Sequence, residues 1–313
     1  MRIALDQNSP AANSVEDQLV TRHIILERHS VFSDTVESSK SFVGSRHSSP
    51  SEFMPTVLII DCISSIGLAS AKLFSAIGWN VIATKRSRDI QIDLAQNEHL
   101  WVTHLDVCDQ NEIKSTIEEG VKRFGNIGVL VINAVHHQIG LLEGIPRQKY
   151  NHVFEINVLG AVDTIRSIMP FFRHNHCGVI IVVISRPDHT FLPTLSSVYA
   201  SNFALEGFLQ AFAPEAASQG VIVKLVVQSG GISEAMIREH GRTHLTDCLL
   251  TEYHDFIEIS EDMLTKNRLG FISSDEVART IYNAATDGKS ALRYIVGADN
   301  GMHHRNPAGI SGT

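Results

Sequence analysis

Residues 57–67 read Val57-Leu58-Ile59-Ile60-Asp61-Cys62-Ile63-Ser64-Ser65-Ile66-Gly67, an apolar run followed by a turn and the start of a helical pattern. The run Val57 to Ile60 is typical of a strand buried on both faces. A helix is predicted from Gly67 to Ile77, and a second strand from Asn80 to Thr84. A strand, a helix and a strand in this order predict a parallel pair joined by a crossover helix.

The same alternation continues along the chain and predicts one α/β domain built on a doubly wound parallel sheet flanked by helices. Further strands are expected at the apolar runs 101–105, 129–132, 179–184, 221–227 and 293–297. Helices are expected at 111–124, 148–172 and 198–219, the second with a break near Pro170. The sequence Ser273-Ser274-Asp275-Glu276 is a capping box that opens a last helix reaching about Ala285.

The composition of the chain changes near residue 54. Residues 1–53 are rich in serine and lack a sustained apolar pattern, so we expect a disordered or poorly ordered extension before a single domain at 54–313. Acidic residues in the extension disfavour a mitochondrial presequence, and no apolar core followed by a cleavage site indicates secretion. A cytoplasmic protein is therefore expected.

Bulk properties exclude several classes of function. The chain has 313 residues, of which 43% are hydrophobic and 19% charged, enough to bury one substantial core. A net charge of -8 without a basic cluster argues against nucleic acid as a partner. No run of about 18 apolar residues predicts a membrane span. The four cysteines show no CxxC spacing and are expected to be free thiols.

The stretch Val198-Tyr199-Ala200-Ser201-Asn202-Phe203-Ala204-Leu205-Glu206-Gly207-Phe208 resembles a helix of the short-chain dehydrogenases/reductases, which reads Tyr-x-x-x-Lys-Phe-Ala-Leu-Glu-Gly-Phe. Without a gap, Val198 falls at the tyrosine and Asn202 at the lysine. A phenol relays protons near pH 7 only if an adjacent cation favours the phenolate. Valine carries no proton and asparagine no charge, and Tyr199 could take the role only through two compensating one-residue shifts. The resemblance implies a Rossmann-like fold, and the two replacements predict degraded redox machinery.

The resemblance also implies a site for NADP(H). The family's first turn reads Thr-Gly-x-x-x-Gly-x-Gly, because glycines let the backbone approach the pyrophosphate. Here only Gly67 matches, and Ser65 adds a side chain. Asp61 adds a charge that repels a phosphate by about 3 kcal/mol at about 5 Å if the carboxylate faces the pyrophosphate, and a carboxylate that points into solvent is the alternative. NADP(H) binding is therefore expected to be weakened or lost. The residues that match cofactor positions are Gly67, Ser65, Ile66, Arg86, Asp106, Val107, Asn133, Ala134 and Gly230.

Lys85-Arg86 resembles the family's basic pair that holds the extra phosphate of NADP, and a solvated basic pair is the alternative. Glu234 stands at the family's threonine near the nicotinamide, where a carboxylate would disfavour a phosphate-bearing ligand.

Candidate catalytic residues come from the resemblance and from the loops at the carboxyl ends of the strands. Ser185 lies thirteen residues before Val198, the family's serine-to-tyrosine spacing, and Asn157 matches its central-helix asparagine. Both residue types also have structural roles at such positions. The loops carry histidines beside a carboxylate, a combination suited to acid/base chemistry near pH 7. The candidates are Ser185, Asn157, His189, Asp188, Tyr199 and His137. Neither His137 nor His189 belongs to an HxH or HExxH pattern, so no metal site is predicted there.

Three functions follow, ranked in this order. The first is a non-redox small-molecule enzyme of isomerase, cyclase or lyase type, of the kind found in natural-product biosynthesis. In such an enzyme, the orientation of the bound substrate alone lowers the activation barrier. The second is an NADP-dependent ketoreductase with an improvised proton relay from Ser185, Tyr199 and water. The third is a non-catalytic ligand-binding pseudoenzyme.

The resemblance further implies a lid at about 233–271 and a homo-oligomer that pairs its long central helices. Apolar lid residues such as Tyr253 and Phe256 predict an apolar or aromatic small-molecule substrate, and packing onto the sheet is the alternative. Leu205, Phe208 and Phe212 are the candidates for the contact between subunits, with burial in the core as the alternative.

Overall fold

The computed structural model of the protein describes residues 54–94, 97–186, 193–229, 251–266 and 272–297. Within these residues, seven parallel strands form one sheet in the order β3-β2-β1-β4-β5-β6-β7. The strands are β1 (Thr56–Ile60), β2 (Asn80–Lys85), β3 (Leu100–His104), β4 (Val129–Ile132), β5 (Gly178–Arg186), β6 (Val221–Ser229) and β7 (Arg293–Val296). The expected doubly wound, Rossmann-like sheet is confirmed.

The described residues form seven helices. They are α1 (Ser65–Ala76), α2 (Gln110–Phe124), α3 (Arg147–Phe154), α4 (Ala161–Asn175), α5 (Ser196–Ala217), α6 (His254–Lys266) and α7 (Ser274–Thr286). A π-helical turn, Glu155–Gly160, joins α3 to α4, and a 3₁₀ turn, Thr251–Tyr253, precedes α6.

The period-2 geometry of the strands divides the core between the two faces of the sheet. Leu58 and Ile60 of β1 belong to the cluster covered by α2, α4 and α5. Val57 and Ile59 belong to the other cluster, which α1 and α7 cover. All four side chains are at most 1% exposed, so β1 is buried on both faces, as its unbroken apolar run predicts.

The expected helix break at Pro170 is wrong. Helix α4 continues through Pro170 to Asn175, and the irregularity lies earlier, in the π-helical turn around Asn157. Pro170 is on the solvent side of α4, where water can reach the carbonyl that loses its partner, while Ile165, Ile168 and Phe172 anchor the helix in the core.

The capping box at Ser273 is confirmed, since its hydroxyl oxygen accepts a hydrogen bond from the Glu276 N–H at 3.1 Å and α7 begins at Ser274. Residues 54–313 form one compact unit. The expectation of a disordered extension at 1–53 lies outside the described residues. None of the described helices combines the length and the apolar character needed to cross a bilayer.

Candidate cofactor and active site

A cleft of about 200 Å³ lies at the carboxyl ends of β1, β2, β3 and β4. Its walls include Asp61 after β1, Arg86 after β2, Asp106 and Val107 after β3, and Ala134 after β4. The order of the strands reverses between β1 and β4, and open α/β sheets bind ligands at such a switch point. The structure thus brings together four residues expected at a cofactor site: Arg86, Asp106, Val107 and Ala134.

The turn after β1 adopts a left-handed backbone at Asp61, whose φ is 65°. Glycine adopts this region freely, and aspartate is among the few other residues that tolerate it. The Asp61 N–H donates to Thr84 Oγ1 at 3.1 Å, and the residue is only 7% exposed. The turn therefore has a conformation that glycine favours, with a carboxylate added to the wall of the cleft.

Ser64 ties this turn together. Its hydroxyl caps α1 by accepting from the Gly67 N–H at 3.2 Å, and it donates to the Asp61 carbonyl at 3.1 Å. The Asn133 side-chain amide donates to the same hydroxyl at 2.6 Å, which joins the end of β4 to the turn. A β-carbon at Gly67 would overlap the Asp61 carbonyl, so the helix can approach the turn this closely only with glycine there.

Ser65 and Ile66 are the first two residues of α1. Ser65 is exposed and Ile66 is half-buried. Backbone N–H groups at the start of a helix lack partners within it and suit an anion. These two positions can therefore contribute backbone donors to a phosphate.

The two cations of Lys85-Arg86 are separated in the structure. The Lys85 ammonium donates to the carbonyls of Arg88 and Ile90, at 2.9 and 2.7 Å. It holds the loop after β2, whereas Arg86 lines the cleft. A phosphate in the cleft would therefore meet one member of the pair, Arg86.

Ser185 and Gln228 pair across β5 and β6, and the Ser185 hydroxyl donates to Gln228 Oε1 at 3.4 Å. The Asn202 side-chain amide donates to the Ser185 carbonyl at 2.7 Å. Val198 lies one helical turn before Asn202 and is 3% exposed. Helix α5 thus presents an aliphatic group and a neutral amide to the end of β5.

Asn157 joins three segments through its side chain. Its Oδ1 accepts from the His136 N–H at 2.6 Å, and its Nδ2 donates to the His136 carbonyl and to Ser201 Oγ, both at 3.0 Å. These bonds connect the π-helical turn to the loop after β4 and to α5. Asn157 is 3% exposed, so its side chain serves first as a buried clamp.

Tyr199 points away from this clamp. Successive helical residues are rotated by about 100°, which places Tyr199 about 160° from Ser201 around α5. It lies on the flank of Glu206, seven residues later, which pairs with Arg293 at 2.9 Å. Tyr199 is 8% exposed. The helical rotation thus directs Tyr199 away from Ser201, the α5 residue that Asn157 contacts.

His137 lies half-buried in the loop after β4. Asp188, His189 and Gly230 lie outside the described residues, as does Glu234. An imidazole pair that the sequence did not suggest stands nearby: the rings of His136 and His152 are 4.9 Å apart, and His152 also lines the cleft.

A second cleft, of about 540 Å³, lies between the loop after β4, the start of α5 and the 3₁₀ turn with α6. Leu141, Leu142, Pro193, Tyr253 and Phe256 make most of its wall apolar. The Tyr253 hydroxyl donates to Glu143 Oε2 at 3.0 Å, and this hydrogen bond raises the pKa of Tyr253. The only part of the expected lid at 233–271 that the structure describes is 251–266, and it supplies the two aromatic residues.

Cysteines and possible metal ligands are the remaining reactive groups of the described residues. Burial raises the pKa of the Cys62 thiol, and the adjacent Asp61 carboxylate adds to the rise, so this cysteine stays protonated. Cys62, Cys108 and Cys177 are free thiols, and Cys248 lies outside the described residues. In the described part of the chain, no group of three or more histidine, cysteine, aspartate or glutamate side chains could hold a metal ion.

Residues 55–244 match the model of a protein family described as short chain dehydrogenase. The chain belongs to the short-chain dehydrogenase family.

One curated protein and two solved structures illustrate what the chain resembles over most of its length. An uncharacterized oxidoreductase of Schizosaccharomyces pombe is 32% identical over 205 residues, 65% of this chain and 84% of that protein. A short-chain dehydrogenase structure from Streptomyces avermitilis superposes with a TM-score of 0.62 at 23% identity, over 80% of this chain and 90% of the other. The structure of ElxO with NADP bound has a TM-score of 0.62 at 22% identity, over 77% of this chain and 97% of the other. These two structures show the likeness of fold.

The sequence alone did not single out several residues of this short-chain dehydrogenase site. Gln228 could have been found from the sequence. The predicted strands 179–184 and 221–227 end just before Ser185 and Gln228, and these two residues pair in the sheet. Ser64 also carries a signal, since a serine three residues before Gly67 suits a helix N-cap. His152 gave no such signal, because it lies on α3 and reaches the cleft only through tertiary packing.

Proposed function

We propose that the chain is an NADP(H)-dependent oxidoreductase that interconverts a small carbonyl compound and its alcohol. The observation that carries this proposal is the cleft at the switch point of the sheet, which Arg86 and Asp106 flank. The oxidoreductase from Schizosaccharomyces pombe and the NADP-bound ElxO support it. A non-redox reaction, ranked first from the sequence, has less support from these relatives.

The residues present fit the cofactor at one end better than at the other. Arg86 provides a planar cation for the 2′-phosphate, and Asp106 stands where the family's aspartate meets the adenine. The start of α1 offers N–H groups to the pyrophosphate. Asp61 opposes the phosphates, so we expect NADP(H) to bind more weakly than it would to a glycine turn. The bound nicotinamide would supply or accept the hydride.

We propose that Val198 and Asn202 replace the family's tyrosine and lysine, which leaves the proton to other groups. The Ser185 hydroxyl has a weak partner in Gln228, at 3.4 Å. It can turn to donate to a carbonyl oxygen, with water restoring its proton. Asn202 holds the Ser185 backbone in place. In this proposal the improvised relay runs through Ser185 and water.

The second cleft favours an uncharged substrate with an apolar or aromatic portion. Leu142 and Phe256 are 72% and 44% exposed at its rim, and a substrate that covers them would gain from their desolvation. The Glu143 carboxylate on the same rim disfavours anionic substrates.

One observation favours a second candidate, a non-redox enzyme or a ligand-binding protein. Val198 and Asn202 offer neither a proton nor a charge to the end of β5. Such a surface can still orient a reactive molecule, and orientation alone can lower a barrier by several kcal/mol.

Titration of the full chain with NADPH, followed by nucleotide fluorescence, tests the proposal. Wild type should bind NADPH and consume it with an aryl ketone such as 2-acetylnaphthalene, and Arg86→Gln should weaken binding about tenfold, the loss of one charge-assisted contact. Arg166→Gln is the matched control, since Arg166 is an exposed arginine on α4 outside the cleft. Binding without turnover of any ketone or alcohol would favour the second candidate, and absence of binding would overturn the proposed cofactor.

A further inference from the structure

His104, the last residue of β3, lies behind Arg86 rather than in the cleft wall. It pairs with Lys85 in the sheet, and its Nε2 lies 3.2 Å from the Arg86 carbonyl oxygen. The Leu105 N–H donates to the Lys85 carbonyl at 3.0 Å. The backbone that carries the Arg86 guanidinium is therefore held from the β3 side by two successive contacts.

The other ring nitrogen of His104 faces Glu112, in the first turn of α2. Nδ1 lies 3.0 Å from Glu112 Oε2, off the line of a straight N–H bond but within ion-pair distance. The same Oε2 accepts the Asp106 N–H at 2.8 Å, and Oε1 lies 3.6 Å from the Arg88 guanidinium. One carboxylate thus connects His104 to Asp106, which flanks the cleft, and to the loop that carries Arg86.

Both atoms that face the imidazole are acceptors, a backbone carbonyl and a carboxylate. A neutral imidazole can donate its one N–H to the Arg86 carbonyl, whereas the imidazolium can also form an ion pair with the Glu112 carboxylate. The charged residues on the segments that surround the ring are Lys85 at the end of β2, Arg86 and Arg88 in the loop after it, Asp106 in the turn after β3, and Glu112 on α2, whose carboxylate lies against the ring. The His104 side chain is 19% exposed, so water screens this contact only in part.

We propose that His104 is a positioning residue for the 2′-phosphate end of the cofactor cleft, which makes the preference for NADPH over NADH depend on pH. This inference rests on the proposed function. In its protonated form, His104 holds the Arg86 backbone and the Glu112 carboxylate together and adds a positive charge behind the phosphate site. When it loses the proton, one contact is lost and the charge disappears, so NADPH affinity falls while NADH affinity changes little.

The test measures dissociation constants for NADPH and NADH, by fluorescence, at pH 5.5 to 8.5 in wild type and His104→Gln. Glutamine keeps a donor for the Arg86 carbonyl but cannot be protonated. The 2′-phosphate itself titrates near pH 6, so the quantity compared at each pH is the ratio between the two proteins. We expect wild type to bind NADPH about three- to tenfold better than His104→Gln at pH 5.5 and about equally at pH 8.5.

Two further variants exclude a merely structural effect. Glu112→Gln keeps an acceptor for the Asp106 N–H but removes the charge, so it should also lessen the wild-type pH dependence. His174→Gln, at an exposed histidine in the last turn of α4, should behave as wild type.

A wild-type to His104→Gln ratio that does not vary with pH, with NADPH bound by both, would overturn this inference and leave the proposed function intact. Equal pH dependence for NADH would also overturn it. Failure of wild type to bind NADPH at any pH would overturn both.

Discussion

At the scale of single residues, Asp61 places a negative charge in the candidate cofactor cleft, where Arg86 places a positive one. Its left-handed backbone suits glycine, and its carboxylate lies in the wall beside Arg86. Two unit charges about 5 Å apart at an effective dielectric of about 20 interact by about 3 kcal/mol. In the proposed function, Arg86 would therefore attract the phosphates of a nucleotide and Asp61 would repel them.

Asp61→Asn should strengthen NADPH binding by about tenfold, because it removes the charge and keeps a side chain that tolerates a positive φ. Asp61→Gly should gain at least as much, since glycine adopts this backbone without strain. Fluorescence titration of the three proteins checks this. Asp163→Asn is a control on α4, and weaker binding by both Asp61 variants would show that the carboxylate assists the ligand.

Gly67→Ala should destabilise the fold by about 1–3 kcal/mol, the usual range for an overpacked site. The added methyl group would overlap the Asp61 carbonyl, which is backbone and cannot turn aside. Urea unfolding monitored by circular dichroism gives the free energy of unfolding. Gly207→Ala is the control, because a β-carbon there has nothing within 4 Å, and equal loss in both variants would contradict the argument.

At the scale of elements, the strands were the easiest part to predict from the sequence. Runs such as Val57 to Ile60 must bury both faces, and few other structures accept four consecutive β-branched or aliphatic residues. The π-helical turn was harder, because its cause is tertiary: Asn157 bonds to His136 and Ser201, which are distant in sequence. At Pro170 the local signal gave a wrong prediction, because the core packing of neighbouring residues outweighs the free-energy cost of a proline inside the helix.

The contact between β6, β7 and α7 depends on a buried ion pair. Lys224 is 1% exposed, and its ammonium donates to Asp287 Oδ1 at 2.6 Å. Burial alone would raise the pKa of Asp287, but hydrogen bonds from Lys224, the Lys289 N–H and Tyr294 lower it below its usual value. Because the folded pKa is depressed, the stabilisation is present above the unfolded pKa of about 3.9 and is lost as pH falls through the folded value.

Wild type should therefore lose stability on acidification below about pH 4, and Asp287→Asn should lose less over the same interval. At pH 7 the variant should be less stable by about 1–3 kcal/mol, because Lys224 keeps a buried charge without its partner. Urea unfolding at pH 7 and at pH 3.5 measures both effects. Asp93→Asn is the matched control: its partner is Lys72, but the Asp93 side chain is 92% exposed, so little change is expected.

At the scale of the whole molecule, the sequence predicted the architecture far better than the site. Periodicity alone suffices for a doubly wound sheet, whereas the site depends on which side chains share an edge and how each is turned. Lys85 shows the difference, since the sequence placed it with Arg86 and the structure turns it into the loop.

We also propose that the protein pairs with a second copy through α4 and α5, as its family resemblance implies. Phe203 on α5 is 41% exposed, and Leu159, in the π-helical turn that leads into α4, is 55% exposed, while Leu205 packs in the core and Phe208 stacks on Phe212 at 5.6 Å. A partner that covers the exposed pair would remove apolar surface from water. Phe203→Asp should then halve the mass measured by analytical ultracentrifugation, whereas Phe256→Asp, on α6, should not. A wild-type monomer at micromolar concentration would contradict the proposal.

The sheet also sets a length. Four strand spacings separate β3 from β5, and at about 4.8 Å each they place Asp106 roughly 19 Å from Ser185 across the sheet. A molecule that touches both residues must therefore be as extended as a dinucleotide. Adenosine 2′,5′-bisphosphate spans only the Arg86 side, so it should compete with NADPH while leaving the approach to Ser185 open.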